Sequence, residues 1–346
     1  MTQKEIASIL GISRTTVARA LKGDESIKPE TRNKILKLCK EVGYKKNYIG
    51  SILANNKNKI IYAFLVKSKN KLYLDEITEG LEVLKKEVLK YNISLEIIIS
   101  DINKPKEQIL KLETILKYKD VDGIIITPML KDEVINVLKN YPTIPLVSLD
   151  KKINDEISFI GSDYKKSGII IGGILTKLAN VEDKIIVIKS DDDNISSNVY
   201  MEGFSESLNS SGLKNIEIKF IKNLSNNLDE ILKIKDIEKA KYLYTTRYVD
   251  KVASFLDDSN LKNIKLIVNG IDINTTSLIE KEQVIVATKE NYFLQAYLAG
   301  KIIFNKLNGK DKKINYTTKP EIIFKENINE IEKNHERIIF KNFNIL

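Results

Sequence analysis

Residues 11–23 of this 346-residue chain read GISRTTVARALKG. Ser13, Arg14, Thr15, Thr16 and Arg19 gather two guanidinium groups and three hydroxyls on one short stretch, while Val17 and Leu21 stand four apart. On a helix that spacing puts the apolar pair on one face and leaves the polar groups on the other. An arginine can grip guanine O6 and N7 with a two-pronged hydrogen bond, and a threonine can bond a base or touch a thymine methyl. Serine and threonine hydroxyls suit phosphate oxygens. The chemistry on offer is recognition of a nucleic-acid duplex, with Arg14, Thr15 and Arg19 toward base edges and Ser13 and Thr16 toward phosphates. Small Ala18 and Ala20 permit close approach.

A second set of polar residues stands at the ends of apolar runs. Asp150 ends IPLVSLD, Asp272 ends IVNGID, and Lys289 follows VIVA by two residues. Arg247 follows YLYTT, Tyr73 precedes LDEITEG, and Asn198 and Tyr200 stand just before EGF (202–204). Carboxylates at strand ends suit hydroxyl pairs, and Arg247 with Lys289 would suit an acidic or phosphorylated group. An internal pairing of Arg247 with Asp250 or Asp272 is the competing reading.

The elements that must position these groups are legible in outline. Thr2 and Glu5 form a capping box for a first helix carrying Ile6, Ile9 and Leu10 on one face, which Gly11 ends. Ser13 caps a second helix that buries Val17 and Leu21 and stops at Gly23. Pro29 opens a third, with Ile35, Leu36, Leu38, Cys39 and Val42 inward, closed by Gly43. Helix, tight glycine turn and second helix stacked on a third make a helix-turn-helix.

From Lys59 the texture changes to apolar runs at 60–66, 93–100, 122–128, 144–150, 184–190, 241–246, 264–270 and 283–288. Amphipathic helical segments, as at Leu81–Leu89 and Leu294–Leu307, lie between most of them. Near-continuous apolar strands alternating with helices imply doubly wound parallel sheets covered on both faces. So long a stretch implies two lobes rather than one sheet. In such sheets a ligand lies beside the carboxyl ends of the strands, which is where the second polar set falls.

Composition narrows the class. The chain is 42% apolar and 30% charged, with net charge +9. Residues 1–56 hold eleven Lys and Arg against five Asp and Glu, so six of the nine excess charges lie in the first sixth. A concentrated positive field there suits a polyanion. One cysteine, Cys39, forms no internal disulfide and fits a reducing cytoplasm. One histidine, His335, leaves no zinc cluster and no histidine-centred triad, and no cofactor is expected. No run is long enough to span a membrane, and the start lacks a secretion-signal pattern.

The run TQKEIASILGISRTTVARALKGDESIKPETRNKILKLCKEVGYKKN resembles the DNA-binding headpiece of the LacI/GalR repressor family. The strands and helices after it are similar to that family's two-lobed effector domain, which has the periplasmic sugar-binding-protein fold. The resemblance implies three parts: a helix-turn-helix domain over 1–46, a hinge helix and linker over 47–58, and a two-lobed effector and dimerisation domain over 59–346. Its first lobe would hold about 59–160 plus 289–319, and its second about 161–288 plus 320–346.

The same resemblance implies a homodimeric regulator of double-stranded operator DNA, most simply a repressor, controlled by a sugar or sugar derivative bound between the lobes. Asn47 through Asn55 (NYIGSILAN) occupy the hinge-helix place, and Leu53 matches the leucine that wedges into the minor groove. Asn47 is counted with the DNA contacts. Lys46 replaces the usual proline, and Gly50–Ser51 a common Ala-Arg pair. The implied effector contacts are Tyr73, Asp150, Asn198, Tyr200, Arg247, Asp272 and Lys289. Tyr200 stands where the family has an arginine, Arg247–Tyr248 where it has an asparagine-aspartate pair, and Lys289 where it often has glutamine.

Two other classes compete with this one. A sugar-metabolising enzyme such as a kinase with an appended DNA-binding domain would need a phosphate-binding glycine loop or a nucleophile elbow. No such motif follows any strand here. A transporter's solute-binding protein would need a secretion signal and no basic headpiece.

Overall fold

The computed structural model describes residues 2–21, 24, 26–42, 58–67, 70–190, 195–209, 211–271, 273–310 and 312–330. The chain divides into two compact units, Met1–Lys57 and Asn58–Leu346. Asn47, Leu53 and Asp272, together with the helix-ending Gly23 and Gly43, lie outside the described residues.

The small unit holds α1 (Gln3–Leu10), α2 (Arg14–Leu21) and α3 (Pro29–Glu41). The capping box forms: Glu5 N–H donates to Thr2 Oγ1 at 3.3 Å, and Thr2 N–H to Glu5 Oε2 at 2.8 Å. Gly11 ends α1 at φ 61°, a left-handed conformation that only glycine adopts without steric cost. The core is Ile6, Ala7, Val17, Ala20, Ile35 and Cys39. Two expected core residues are solvent-facing instead: Ile9 is 57% and Leu36 45% exposed. On so small a bundle only a narrow stripe meets the neighbours. Ile6 with Leu10, and Ile35 with Cys39, fill it at i, i+4, and each misplaced residue lies one step around the helix.

The large unit runs β1 (Lys59–Lys67), α4 (Lys71–Leu89), β2 (Ile93–Asp101), α5 (Pro105–Tyr118), β3 (Gly123–Ile126), α6 (Lys131–Leu138), β4 (Leu146–Leu149) and β5 (Ser158–Ser162). It continues with α7 (Tyr164–Leu178), β6 (Lys184–Ser190), α8 (Ile195–Asn209), β7 (Ile216–Ile221), β8 (Ala240–Thr245), α9 (Val249–Asp258), β9 (Lys265–Asn269), α10 (Ile273–Glu280) and β10 (Val284–Lys289). Last come α11 (Tyr292–Leu307), β11 (Asn315–Thr318) and β12 (Glu321–Ile323).

The strands form two six-stranded sheets, ordered β11-β5-β4-β3-β1-β2 and β12-β10-β9-β8-β6-β7. Every pairing is parallel except β10 with β12. The chain crosses between sheets after Ser162, Lys289 and Thr318. Central strands such as GIII of β3 are buried throughout, as two-sided cover requires. β7, at a sheet edge, alternates instead, with Ile218 and Phe220 exposed.

Two helix pairs set the geometry at the crossings. α11 is buried continuously from Phe293 to Ile303 and packs on α4 beneath the first sheet. α7 and α8 touch backbone to backbone: a methyl on Gly168 would strike the Tyr200 carbonyl, and one on Gly203 the Lys165 carbonyl. That contact fixes the height of Tyr200 at the mouth of the second sheet. Among the described residues no helix is long and apolar enough to cross a membrane.

Candidate functional site

In the small unit, the N-terminus of α2 is built by Ser13. Its Oγ accepts from Thr16 N–H at 3.0 Å and lies 2.8 Å from Thr16 Oγ1. The two hydroxyls are therefore committed first to starting the helix. With Val17 and Ala20 buried, Arg14, Thr15 and Arg19 fall on the exposed side. The free α2 N–H groups and two guanidinium groups make that face electropositive. Arg19 is held by its neighbour, Nε donating to Asp24 Oδ2 at 2.9 Å.

In the large unit the predicted residues separate into two groups. The first gathers between the lobes at the carboxyl ends of the strands. Asp150, just past β4, takes a left-handed backbone at φ 64° and presents both carboxylate oxygens. Tyr73 on α4 donates to Oδ2 at 3.3 Å, and Tyr164 on α7 donates to Oδ1 at 2.5 Å. Burial pushes the Asp150 carboxyl above the usual carboxylate range, the two phenols and Lys151 opposing it only in part. Tyr200 donates to Glu290 Oε1 at 2.9 Å, and Ser167 donates to the same oxygen at 2.7 Å. The rings pack edge to face, Tyr73 on Tyr292 at 4.8 Å and Tyr164 on Tyr200 at 5.1 Å. Asp150, Tyr164 and Tyr292 keep part of their surface open to solvent.

Lys289 belongs to the same region but differs from expectation. It is 3% exposed and lies 2.7 Å from Glu76 Oε1, an ion pair joining β10 of the second lobe to α4 of the first. A lysine so placed ties the lobes together; its charge is already answered, which removes it as the partner of an anionic ligand group.

The second group, Asn198 and Arg247, stands apart. With Lys189, Ser190, Phe220 and Thr246 they line a concavity of about 300 Å³ contributed wholly by the second lobe. The Arg247 guanidinium lies 5.1 Å from the ring centroid of Tyr248, itself a left-handed residue at φ 52°. A positive φ on a bulky residue costs about 1–3 kcal/mol, which the packing around the loop after β8 must offset.

Sequence reasoning missed Glu76, Tyr164, Ser167, Glu290 and Tyr292. The available signal was position: Tyr164 follows the first crossing, and Glu290 to Tyr292 make the second. Glu290 is 1% exposed, and burial pushes its carboxyl up to about 7. Its Oε2 has no hydrogen-bond partner among the described residues.

Comparison with known proteins agrees with this geometry. Residues 62–311 match the periplasmic binding protein domain, and residues 2–47 match the bacterial regulatory proteins, lacI family. The HTH-type transcriptional regulator RegA of Clostridium saccharobutylicum is 28% identical over 218 residues, 61% of this chain and 62% of that protein. Catabolite control protein A of Staphylococcus epidermidis is 29% identical over 169 residues, 48% of this chain and 49% of that one. The matched part thus spans about half to three-fifths of these relatives. A periplasmic solute-binding protein of an ABC transporter from Actinobacillus succinogenes, solved with bound D-allose, superposes with TM-score 0.67 at 13% identity, over 79% of this chain and 99% of that one. Most of the chain therefore belongs to the periplasmic binding protein domain family, and its N-terminal residues 2–47 are similar to the lacI family of bacterial regulatory proteins.

Proposed function

We propose that this protein is a cytoplasmic transcriptional regulator, most simply a repressor, that binds a two-fold symmetric operator as a homodimer and answers to a small carbohydrate held between its lobes. The observation that carries the reading is the exposed Arg14, Thr15 and Arg19 face of a Ser13-capped second helix in a helix-turn-helix. Such a helix places its N-terminal side chains against base edges in the major groove. One headpiece reads few base pairs, and a two-fold dimer doubles the site.

The ligand reading rests on the cleft. Asp150 and the phenols of Tyr73, Tyr164 and Tyr292 offer acceptors, donors and ring faces at strand ends, the chemistry of hydroxyl-rich ligands. With Lys289 committed to Glu76, this lining favours a neutral carbohydrate over a phosphorylated one. The relatives named as regulators support the class, and the D-allose-bound neighbour supports the fold.

The test is selection of bound duplexes from a random library, followed by gel-shift titration of the winner with and without single sugars. The expected result is an inverted repeat whose affinity changes with one sugar. Failure to enrich any sequence would remove the regulator reading; an enriched site indifferent to every sugar would remove the effector reading alone.

A further inference from the structure

Arg19 reaches base edges only if its guanidinium is presented, and a free arginine side chain carries about 2 kcal/mol of rotamer entropy that binding must remove. The structure supplies a restraint. Asp24, in the turn between α2 and α3, is fixed from several directions. Its N–H donates to the Arg19 carbonyl at 3.1 Å, and its own carbonyl accepts from Ile27 N–H at 3.2 Å and Arg32 Nη2 at 2.5 Å. Carboxylate Oδ1 accepts from Ser26 N–H at 3.0 Å and Ser26 Oγ at 2.6 Å. Only Oδ2 remains, and it faces Arg19 Nε at 2.9 Å.

We infer that Asp24 is a positioning residue for base recognition: held by Ser26, it docks the Nε edge of Arg19 and leaves the terminal Nη pair aimed outward as a preformed fork. An Nε donated to a carboxylate cannot turn back to a phosphate. The four remaining N–H groups are those that bond guanine O6 and N7 end-on. The bonds from Ser26, then the Arg19 cation, hold the Asp24 carboxyl down at about 2, so it stays an anion at any working pH. The partners are 55% and 33% exposed, so the pair is worth little as a stabiliser of the fold. Its value lies in orientation.

The inference rests on the proposed DNA-binding function and predicts an effect opposite in sign to simple electrostatics. Removing a surface acid beside DNA should by itself tighten all binding. Asp24→Ala is expected instead to lower the ratio of specific to random-duplex affinity about tenfold, the order of one charge-assisted hydrogen bond. Affinity for random duplex should hold or rise.

The experiment measures both affinities at one fixed salt concentration for the full-length parent, Asp24→Ala, Arg19→Ala and the double variant. Asp24→Ala should leave the ratio unchanged when Arg19 is already alanine. If Asp24→Ala tightens both duplexes equally, or lowers the ratio as much in the Arg19→Ala background, the positioning role is wrong. Should Asp24→Ala lower the melting temperature, Asp24→Asn decides. Its oxygen keeps the Ser26 bonds and turns an NH2 toward Arg19, so the ratio must still fall. A parent with no preference for any duplex would instead defeat the DNA-binding reading itself.

Discussion

Glu290→Gln isolates the most unusual group in the cleft. Glu290 is 1% exposed at the second crossing, and burial raises its carboxyl from an ordinary 4.5 to about 7, with Asp150 adding repulsion. The native protein thus holds a proton that the unfolded chain releases above about 4.5. The stability this lends is complete below that value and is lost as pH rises through about 7. Between pH 5 and pH 8 the loss comes to about 2–3 kcal/mol, at roughly 1.4 kcal/mol per pKa unit.

Glutamine has the same shape and no titration. Its Oε1 can still accept from Ser167 and Tyr200, while its NH2 takes the place of the unpartnered Oε2. A buried amide without an acceptor costs about 1–3 kcal/mol at every pH. Relative to the parent, the variant should therefore be less stable at pH 5 and close to parity, or better, at pH 8. Urea unfolding at pH 5, 6, 7 and 8 and constant ionic strength reads this directly. A stability difference between parent and variant that does not change with pH refutes the reasoning.

Three further outcomes are expected. Lys289→Met leaves Glu76 buried without its cation and should cost about 3–5 kcal/mol in urea unfolding, most of it recovered by adding Glu76→Leu; no recovery would show that the pair does more than neutralise itself. Gly168→Ala drives a methyl into the Tyr200 carbonyl and should cost about 1–3 kcal/mol or more, read as a lower melting temperature, whereas an unchanged melt would mean that α7 and α8 separate easily. Arg19→Ala should cost about 1–3 kcal/mol on a selected operator and much less on random duplex, and an equal loss on both would mark Arg19 as a phosphate contact.

How much of this was legible in the sequence depended on whether a signal was local. The capping box, Gly11 and the Ser13 cap are contacts within a few residues, and the residue types alone disclose them. Eight strands announce themselves as apolar runs, most of them because two-sided burial demands it; the edge strand β2 is apolar although only partly covered. β5, β7, β11 and β12 do not announce themselves. SFIGS is short and partly polar, Glu217 and Lys219 interrupt the apolar residues of the edge strand β7, and the last two have only four and three residues. The cleft was half legible for a different reason. Strand-end position marks Asp150 and Lys289, but their partners come from 77 and 213 residues upstream, and no spacing rule discloses Tyr73–Asp150 or Glu76–Lys289. Lys289 read as a ligand contact because a lysine at a strand end carries no mark of the glutamate that will meet it.

Those partners share a location, and it constrains how a ligand could act. On the first-lobe side, several of the contacts that reach across to the second lobe come from the first turns of α4. Asn70 Nδ2 donates to the Ile271 carbonyl at 3.4 Å, Leu72 packs against the second lobe's core, and Glu76 holds Lys289. Tyr73, in the same turns, holds Asp150, whose other oxygen is held by Tyr164 at the start of α7. The rest of α4 is locked to α11 deep in the first lobe, so the start of α4 cannot shift alone without breaking that packing. A ligand entering beside Asp150 competes with the Tyr73 and Tyr164 hydroxyls for the same two carboxylate oxygens. It moves the lobes only by the difference between the contacts it makes in the closed and the open arrangement. A sugar that merely replaces both phenols bond for bond would bind without shifting anything. A sugar that displaces Tyr164 while leaving Tyr73 in place loosens the second lobe and spares the first. On the proposed reading, the effector is therefore the ligand that treats the two tyrosines on Asp150 unequally.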